Sequence, residues 1–124
     1  MEYYISNDGN YIVTGKLDGG RRILIGGGNP HIYLKDADIS MNYDWVAPIT
    51  INGGNPIIHV IGGNNTIKSD NSTGIHVLEG TVTITGRSRE DKLTVTGGNS
   101  GCGIGGFTSI GSDDGRVLWK HPYQ

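Results

Sequence analysis

A few side chains in this 124-residue sequence have the type and spacing to do chemistry, and that spacing narrows what the chemistry would be. Asp36 and Asp38 are two apart, so on an extended strand they share one face across Ala37. Two facing carboxylates at a fixed separation are what glycoside hydrolysis needs. No equivalent acid recurs on the neighbouring repeats to complete such a site, and if Ala37 turns inward both acids face solvent. His31, His59, His76 and His121 have no metal-ligand spacing on any single element, although stacked strands can bring His59 beside a neighbour. Cys102 is the single cysteine and lies between Gly101 and Gly103, with no identifiable base to activate it. Asn29, Asn55, Asn64, Asn65 and Asn99 sit among glycines, where asparagine turns the chain and bonds nearby backbone. Calcium binding is the rival for them, but glycine- and aspartate-rich ligand loops are missing, and Asp113-Asp114-Gly115 reads as a solvated turn. The expectation is no enzyme activity, no cofactor and no metal site.

The aromatic residues point further. Tyr33, Tyr43 and Trp45, with Asp44 between the last two, cluster around one corner, and Trp119 and Tyr123 lie in the tail. Aromatic side chains of this kind anchor protein interfaces or stack on sugar rings. The six form the candidate partner-binding set. Packing within a cap is the competing role, favoured for Trp119 and evenly balanced for the segment 43–45. Thr81, Thr83, Thr85, Thr94 and Thr96 alternate with apolar residues and read as ordinary solvent-facing strand residues, since the array is interrupted by the charged run 87–92.

These side chains need elements to hold them, and the hydrophobic pattern supplies those elements. The pair Ile23/Ile25 recurs 26 residues later as Ile49/Ile51 and again as Ile75/Val77, and Ile104 follows after 29. A second track runs Ile32/Leu34, Ile58/Val60, Ile84, and a third Ala37/Ile39, Ile67, Leu93/Val95. Gly-Gly-Asn-Pro stands at 27–30 and again at 53–56. Three short apolar strands per repeat, separated by Gly/Asn/Pro corners, describe one coil of a β-solenoid. The fold expected is all-β: a single-domain, right-handed parallel β-helix of about four coils of ~26 residues, capped at both ends. Residues 1–21 are the N-terminal cap, opening as a hairpin around Asp8-Gly9-Asn10. Residues 22–112 are the coils and 113–124 the C-terminal cap. The 26-residue spacing turns Ile58 and Val60 inward rather than Ile57, His59 and Ile61; a slip of one residue would reverse this.

Composition agrees with a solenoid. Glycine makes up 22 of 124 residues, far above the usual share of roughly 7%. The apolar fraction is only 35%, which a solenoid tolerates because each inward residue stacks on its equivalent in the next coil. A net charge of −2 with no basic run argues against a nucleic-acid partner. No 18-residue apolar stretch is present, so no membrane-inserted helix is expected. The opening residues Met1-Glu2-Tyr3-Tyr4 have no signal-peptide pattern, which leads to an expected location in the host cytoplasm, with a virion or a cell surface, within a longer protein, as the alternative.

The run from Ile32 to Gly106 also carries a resemblance. Ile32-Tyr33-Leu34-Lys35-Asp36-Ala37-Asp38-Ile39, Ala47-Pro48-Ile49, Gly62-Gly63-Asn64-Asn65-Thr66-Ile67-Lys68-Ser69 and Thr73-Gly74-Ile75-His76-Val77 come in order. Gly80-Thr81-Val82-Thr83-Ile84-Thr85-Gly86, Leu93-Thr94-Val95-Thr96-Gly97-Gly98 and Gly103-Ile104-Gly105-Gly106 follow. This order resembles the β-helical repeat domains of bacterial and phage surface proteins, some of which are labelled carbohydrate-binding. The resemblance implies a β-helix and a recognition role. Taken with the residues, it leads to two functional expectations. The first is a non-catalytic recognition protein, encoded by a phage or mobile element, that binds a protein target through its solenoid faces; a particular version is an intracellular inhibitor of a host defence system. The alternative is a carbohydrate-binding or adhesion module. Homo-oligomerisation is compatible with either.

Overall fold

The 26-residue step becomes a strand register. The computed structural model describes residues 2–43, 46–98 and 104–105, together with the backbone of 116–120. Its strands are β1 (Glu2–Ile5), β2 (Asn10–Leu17), β3 (Arg22–Ile25), β4 (His31–Met41), β5 (Ile49–Asn52) and β6 (Ile57–Ile61). They continue with β7 (Asn65–Ser69), β8 (Ile75–Glu79), β9 (Thr83–Gly86), β10 (Lys92–Thr96), β11 (Ile104–Gly105) and β12 (Arg116–Lys120). Among the described residues there is no helix. One sheet runs β1-β3-β5-β8-β11, and a second runs β12-β10-β7-β4-β6-β9 with β2 also beside β4. Every pairing is parallel except β10 with β12, which is antiparallel. The chain is therefore a β-solenoid of about three turns.

The second sheet folds into two faces, and β4 shows how. Its first half, His31–Lys35, pairs with β6, and its second half, Asp38–Met41, pairs with β7. The bend falls at Asp36, a non-glycine residue at φ 51° that is left out of the pairing with β2. One coil later Gly62, at φ 92°, makes the same corner between β6 and β7. Each full turn thus has three faces. The first is built from β3, β5 and β8; the second from the front of β4 with β6 and β9; the third from the back of β4 with β7 and β10.

The three apolar tracks are three inward ladders. Ile23, Ile49, Ile75 and Ile104 stack in register on the first face. Ile32, Ile58 and Ile84 do so on the second, and Ile39, Ile67 and Val95 on the third. Ile25, Leu34, Ile39, Ile51, Ile58 and Val60 are completely buried. The expected register of β6 therefore holds: Ile58 and Val60 point in, while Ile57, His59 and Ile61 point out half-buried.

The N-terminal segment differs from the expected hairpin. β1 pairs with β3 and β2 with β4, both parallel, so residues 2–17 form a further, shorter turn on the stack. Asp8-Gly9-Asn10 does turn the chain, but it is a solenoid corner: Gly9 accepts from the His31 amide at 2.9 Å, and Asp8 Oδ1 accepts from the Asn29 amide at 2.8 Å. Of the last of the four expected coils only Ile104-Gly105 is described, and of the tail beyond 113 only the backbone of β12, which borders β10 with Trp119 opposite Leu93.

Two polar side chains stitch the corner between the second and third faces. Asn65, 1% exposed, takes an inward position that is apolar elsewhere in the ladder. Its Oδ1 accepts from the Ala37 amide of the preceding coil at 2.9 Å, and its Nδ2 donates to the Ile61 carbonyl at 2.9 Å. Asp91 does the same one coil on. Its carboxylate accepts from the amides of Gly62 (2.8 Å), Arg87 (2.7 Å) and Ser88 (2.8 Å). Burial alone would raise its pKa, but the three amide donors and the Arg87 charge outweigh that and hold the carboxyl below its ordinary value. The folded state therefore favours the ionised form. That stability is present above the unfolded pKa of about 3.9 and is lost as pH falls through the lower folded value. Asp91→Ala, which strands three donors, is expected to cost about 1–3 kcal/mol in urea unfolding at pH 7. It should also flatten the acid limb of stability below pH 4. An unchanged acid limb would mean that the carboxylate does not hold this corner.

Candidate functional site

The alternation that buries Ile32, Leu34, Ile58 and Val60 turns every second residue of the second face outward. From the first turn upward, the rows are Asn10, Ile12, Thr14; then His31, Tyr33, Lys35; then Ile57, His59, Ile61; then Thr83, Thr85. None of these outward positions is a carboxylate. A solvated strand face normally carries polar residues, yet this one carries Ile12, Tyr33, Ile57 and Ile61. Ile12 is 73% exposed, the most exposed large hydrophobic residue described. A shallow depression lined by Asn10, Ile12, Tyr33, Lys35 and Ile61 opens beside it.

At the centre of this face three rings form one cluster. Tyr33 and His59, paired across β4 and β6, stack with centroids 4.3 Å apart and planes 10° apart. His31 Nδ1 lies 2.9 Å from His59 Nε2, with ring centroids 5.2 Å apart and planes 20° apart. So close a nitrogen contact between such widely spaced rings means that the imidazoles meet edge to edge through an N–H···N hydrogen bond. One nitrogen must donate and the other accept, so the two facing nitrogens cannot both carry a proton and keep the bond. Burial, then the His31 neighbour, then the Arg87 charge, lower the pKa of His59 below its ordinary value. The ring is therefore held neutral near pH 7.

The other two faces offer less. On the third, Thr66 Oγ1 donates to Asp38 Oδ1 at 3.1 Å, tying that carboxylate to its neighbour. Ala37 is buried, so Asp36 and Asp38 both face solvent, as their spacing predicts. On the first, the outward row is Tyr4, Leu24, Thr50 and His76, and Thr50 is only 4% exposed, which leaves that row interrupted as a binding surface. Burial alone lowers the pKa of His76.

Of the six candidate binding residues, Tyr33 stands at the centre of the ring cluster. Tyr43 lies past the far end of β4, 56% exposed, with its ring packed closely over Gly20. Asp44, Trp45 and Tyr123 fall outside the described residues, as does the side chain of Trp119; Cys102, His121, Asn99 and Asp113-Asp114 do as well. Sequence reasoning missed Ile12, Ile57 and Ile61, and it named His31 and His59 without joining them, noting only that stacked strands can bring His59 beside a neighbour. The signal for Ile57 and Ile61 was present in β6, whose sequence Ile57-Ile58-His59-Val60-Ile61 is apolar on both sides of the strand.

Comparison with protein-family models, with curated proteins and with solved structures gives no match. Function rests on the geometry of this face.

Proposed function

We propose that this chain is a non-catalytic recognition module that binds a protein partner through the second face of its solenoid. The observation that carries the proposal is the outward stripe Ile12–Tyr33–His59, flanked by Ile57 and Ile61 and free of carboxylates. Protein interfaces place aromatic and aliphatic anchors at the centre of a contact and polar groups at the rim. Lys35, Asn10 and the threonines of β9 supply such a rim. A protein is favoured over a glycan because His59 takes one of the two faces of the Tyr33 ring on which a sugar could stack, and the neighbouring outward positions Ile12, Ile57 and Ile61 are aliphatic. In the version we propose, the partner is a component of a host defence system and the chain is its intracellular, phage- or element-encoded inhibitor.

The test is a cross-linking pull-down from host lysate run beside a glycan array. One protein should be retained by the wild type and by Asp38→Ala on the third face. Tyr33→Ala or Ile12→Lys should weaken that complex by about 2 kcal/mol, roughly 30-fold in Kd. Glycan binding that depends on Tyr33 would establish the carbohydrate-binding alternative instead. Release of sugar products abolished by Asp36→Asn or Asp38→Asn would overturn the non-catalytic reading.

A further inference from the structure

We propose that His31 and His59 form a two-imidazole site for a divalent transition-metal ion of the Cu(II), Ni(II) and Zn(II) class. The two facing nitrogens, Nδ1 of His31 and Nε2 of His59, are 2.9 Å apart. Imidazole nitrogens bound to one metal at about 2.0–2.1 Å lie about 2.9–3.4 Å apart as the angle opens from a square-planar cis pair to a tetrahedral one. The observed separation is at the short end, that of adjacent positions on a tetragonal ion. In the hydrogen-bonded pair the facing nitrogens point at each other, so the rings must turn to aim both lone pairs at one ion; β4 and β6 keep the two nitrogens within that reach on neighbouring strands.

Binding replaces a hydrogen bond without changing the charge of the protein. The proton shared between the facing nitrogens moves to the outer nitrogen of its own ring, and each neutral imidazole then donates one lone pair to the metal. Arg87 opposes a cation here, and Lys35 lies on the same outward row as His31. Among the described residues no group of three or more His, Cys, Asp and Glu side chains gathers around a common point, so water completes the coordination sphere. The site belongs to the ions with the strongest imidazole preference, in the order Cu(II) above Ni(II) above Zn(II); calcium and magnesium, which prefer oxygen, should not bind.

The experiment is calorimetric titration of the untagged full chain at pH 7.5 with copper, nickel and zinc chlorides in turn. One ion per chain is expected in that order of affinity. His31→Asn and His59→Asn should each weaken binding at least tenfold, while His76→Asn leaves it unchanged. In parallel, nickel added to the wild-type protein should broaden the imidazole NMR signals of His31 and His59 before those of any other histidine. This readout needs no variant to fold. Full affinity in either single variant, broadening that begins at another histidine, or no binding of any of the three ions would each overturn the proposal.

Discussion

Replacing Ile75 by alanine will lower stability by about 2–5 kcal/mol, the range for deleting a buried isoleucine side chain when its surroundings relax only partly. Ile75 is completely buried in the middle of the first-face ladder, with Ile49 in register on one side and Ile104 on the other. In a solenoid the strands above and below are fixed by backbone pairing, so neither neighbour can move in to fill the gap. The loss should therefore sit toward the upper half of the range. Ile49→Ala, 1% exposed in the same ladder, should behave alike. Because the two side chains touch one ladder, the double variant should not equal the sum of the singles. Ile57→Ala is the control. It is the same chemical change on the outward side of β6, where the side chain is half-buried, and should cost about 1 kcal/mol or less. Urea unfolding followed by far-UV circular dichroism reads all four. Equal losses at Ile57 and Ile75 would contradict the inward register.

The fold was legible because burial in a solenoid is periodic at two scales, two residues along the strand and one coil between strands. The Ile, Leu and Val positions that satisfy both scales were enough to locate the three tracks, the register of β6 and the corners marked by Gly-Gly-Asn-Pro. A fixed period fails where the step changes. Ile23 to Ile49 and Ile58 to Ile84 are 26 apart, but on the third face Ile39 pairs with Ile67 and Ile67 with Val95, a step of 28. Asn65 therefore stacks on Leu93 rather than on Asp91, and the two corner-stitching side chains do not appear as equivalents in the sequence. Asp91 lies inside the charged run 87–92, where nothing separates a buried acceptor of three amide protons from a solvated acid. The short first turn was hidden for a related reason. Ile5 pairs with Ile25, a step of only 20, which falls outside the repeat and leaves the turn residues to suggest a hairpin. The ring cluster was out of reach of periodicity altogether. His31 and His59 meet on a diagonal across two strands, and only side-chain direction decides that they touch.

The glycines at the corner between the first and second faces carry the other large expectation. Gly54→Ala should destabilise the protein by at least about 3 kcal/mol, combining the cost of a non-glycine residue in a left-handed conformation with that of overpacking. Gly54 has φ 79°, and a Cβ there would land on the carbonyl oxygen of Gly28 in the coil below. That carbonyl cannot withdraw, because it accepts the Asn55 amide at 2.9 Å and so forms part of the bonding that joins the two coils. The arrangement repeats one coil on. Gly80 has φ 91°, its Cβ would meet the Gly54 carbonyl, and that oxygen accepts the Thr81 amide at 3.0 Å. A methyl group at either position must push two coils apart or break the bond between them. Gly27→Ala makes the decisive comparison. It lies in the same Gly-Gly-Asn-Pro motif, yet its φ is not in the left-handed range and a Cβ there meets nothing within 4 Å. With no clash and less freedom in the unfolded chain, it should be neutral or stabilising by up to about 1 kcal/mol. If Gly27→Ala and Gly54→Ala lower the urea midpoint equally, the corner is not held by close backbone approach. A large loss confined to Gly54 and Gly80 would show that the repeated glycine sets the spacing of the coils, and hence the distance across which Tyr33, His31 and His59 meet.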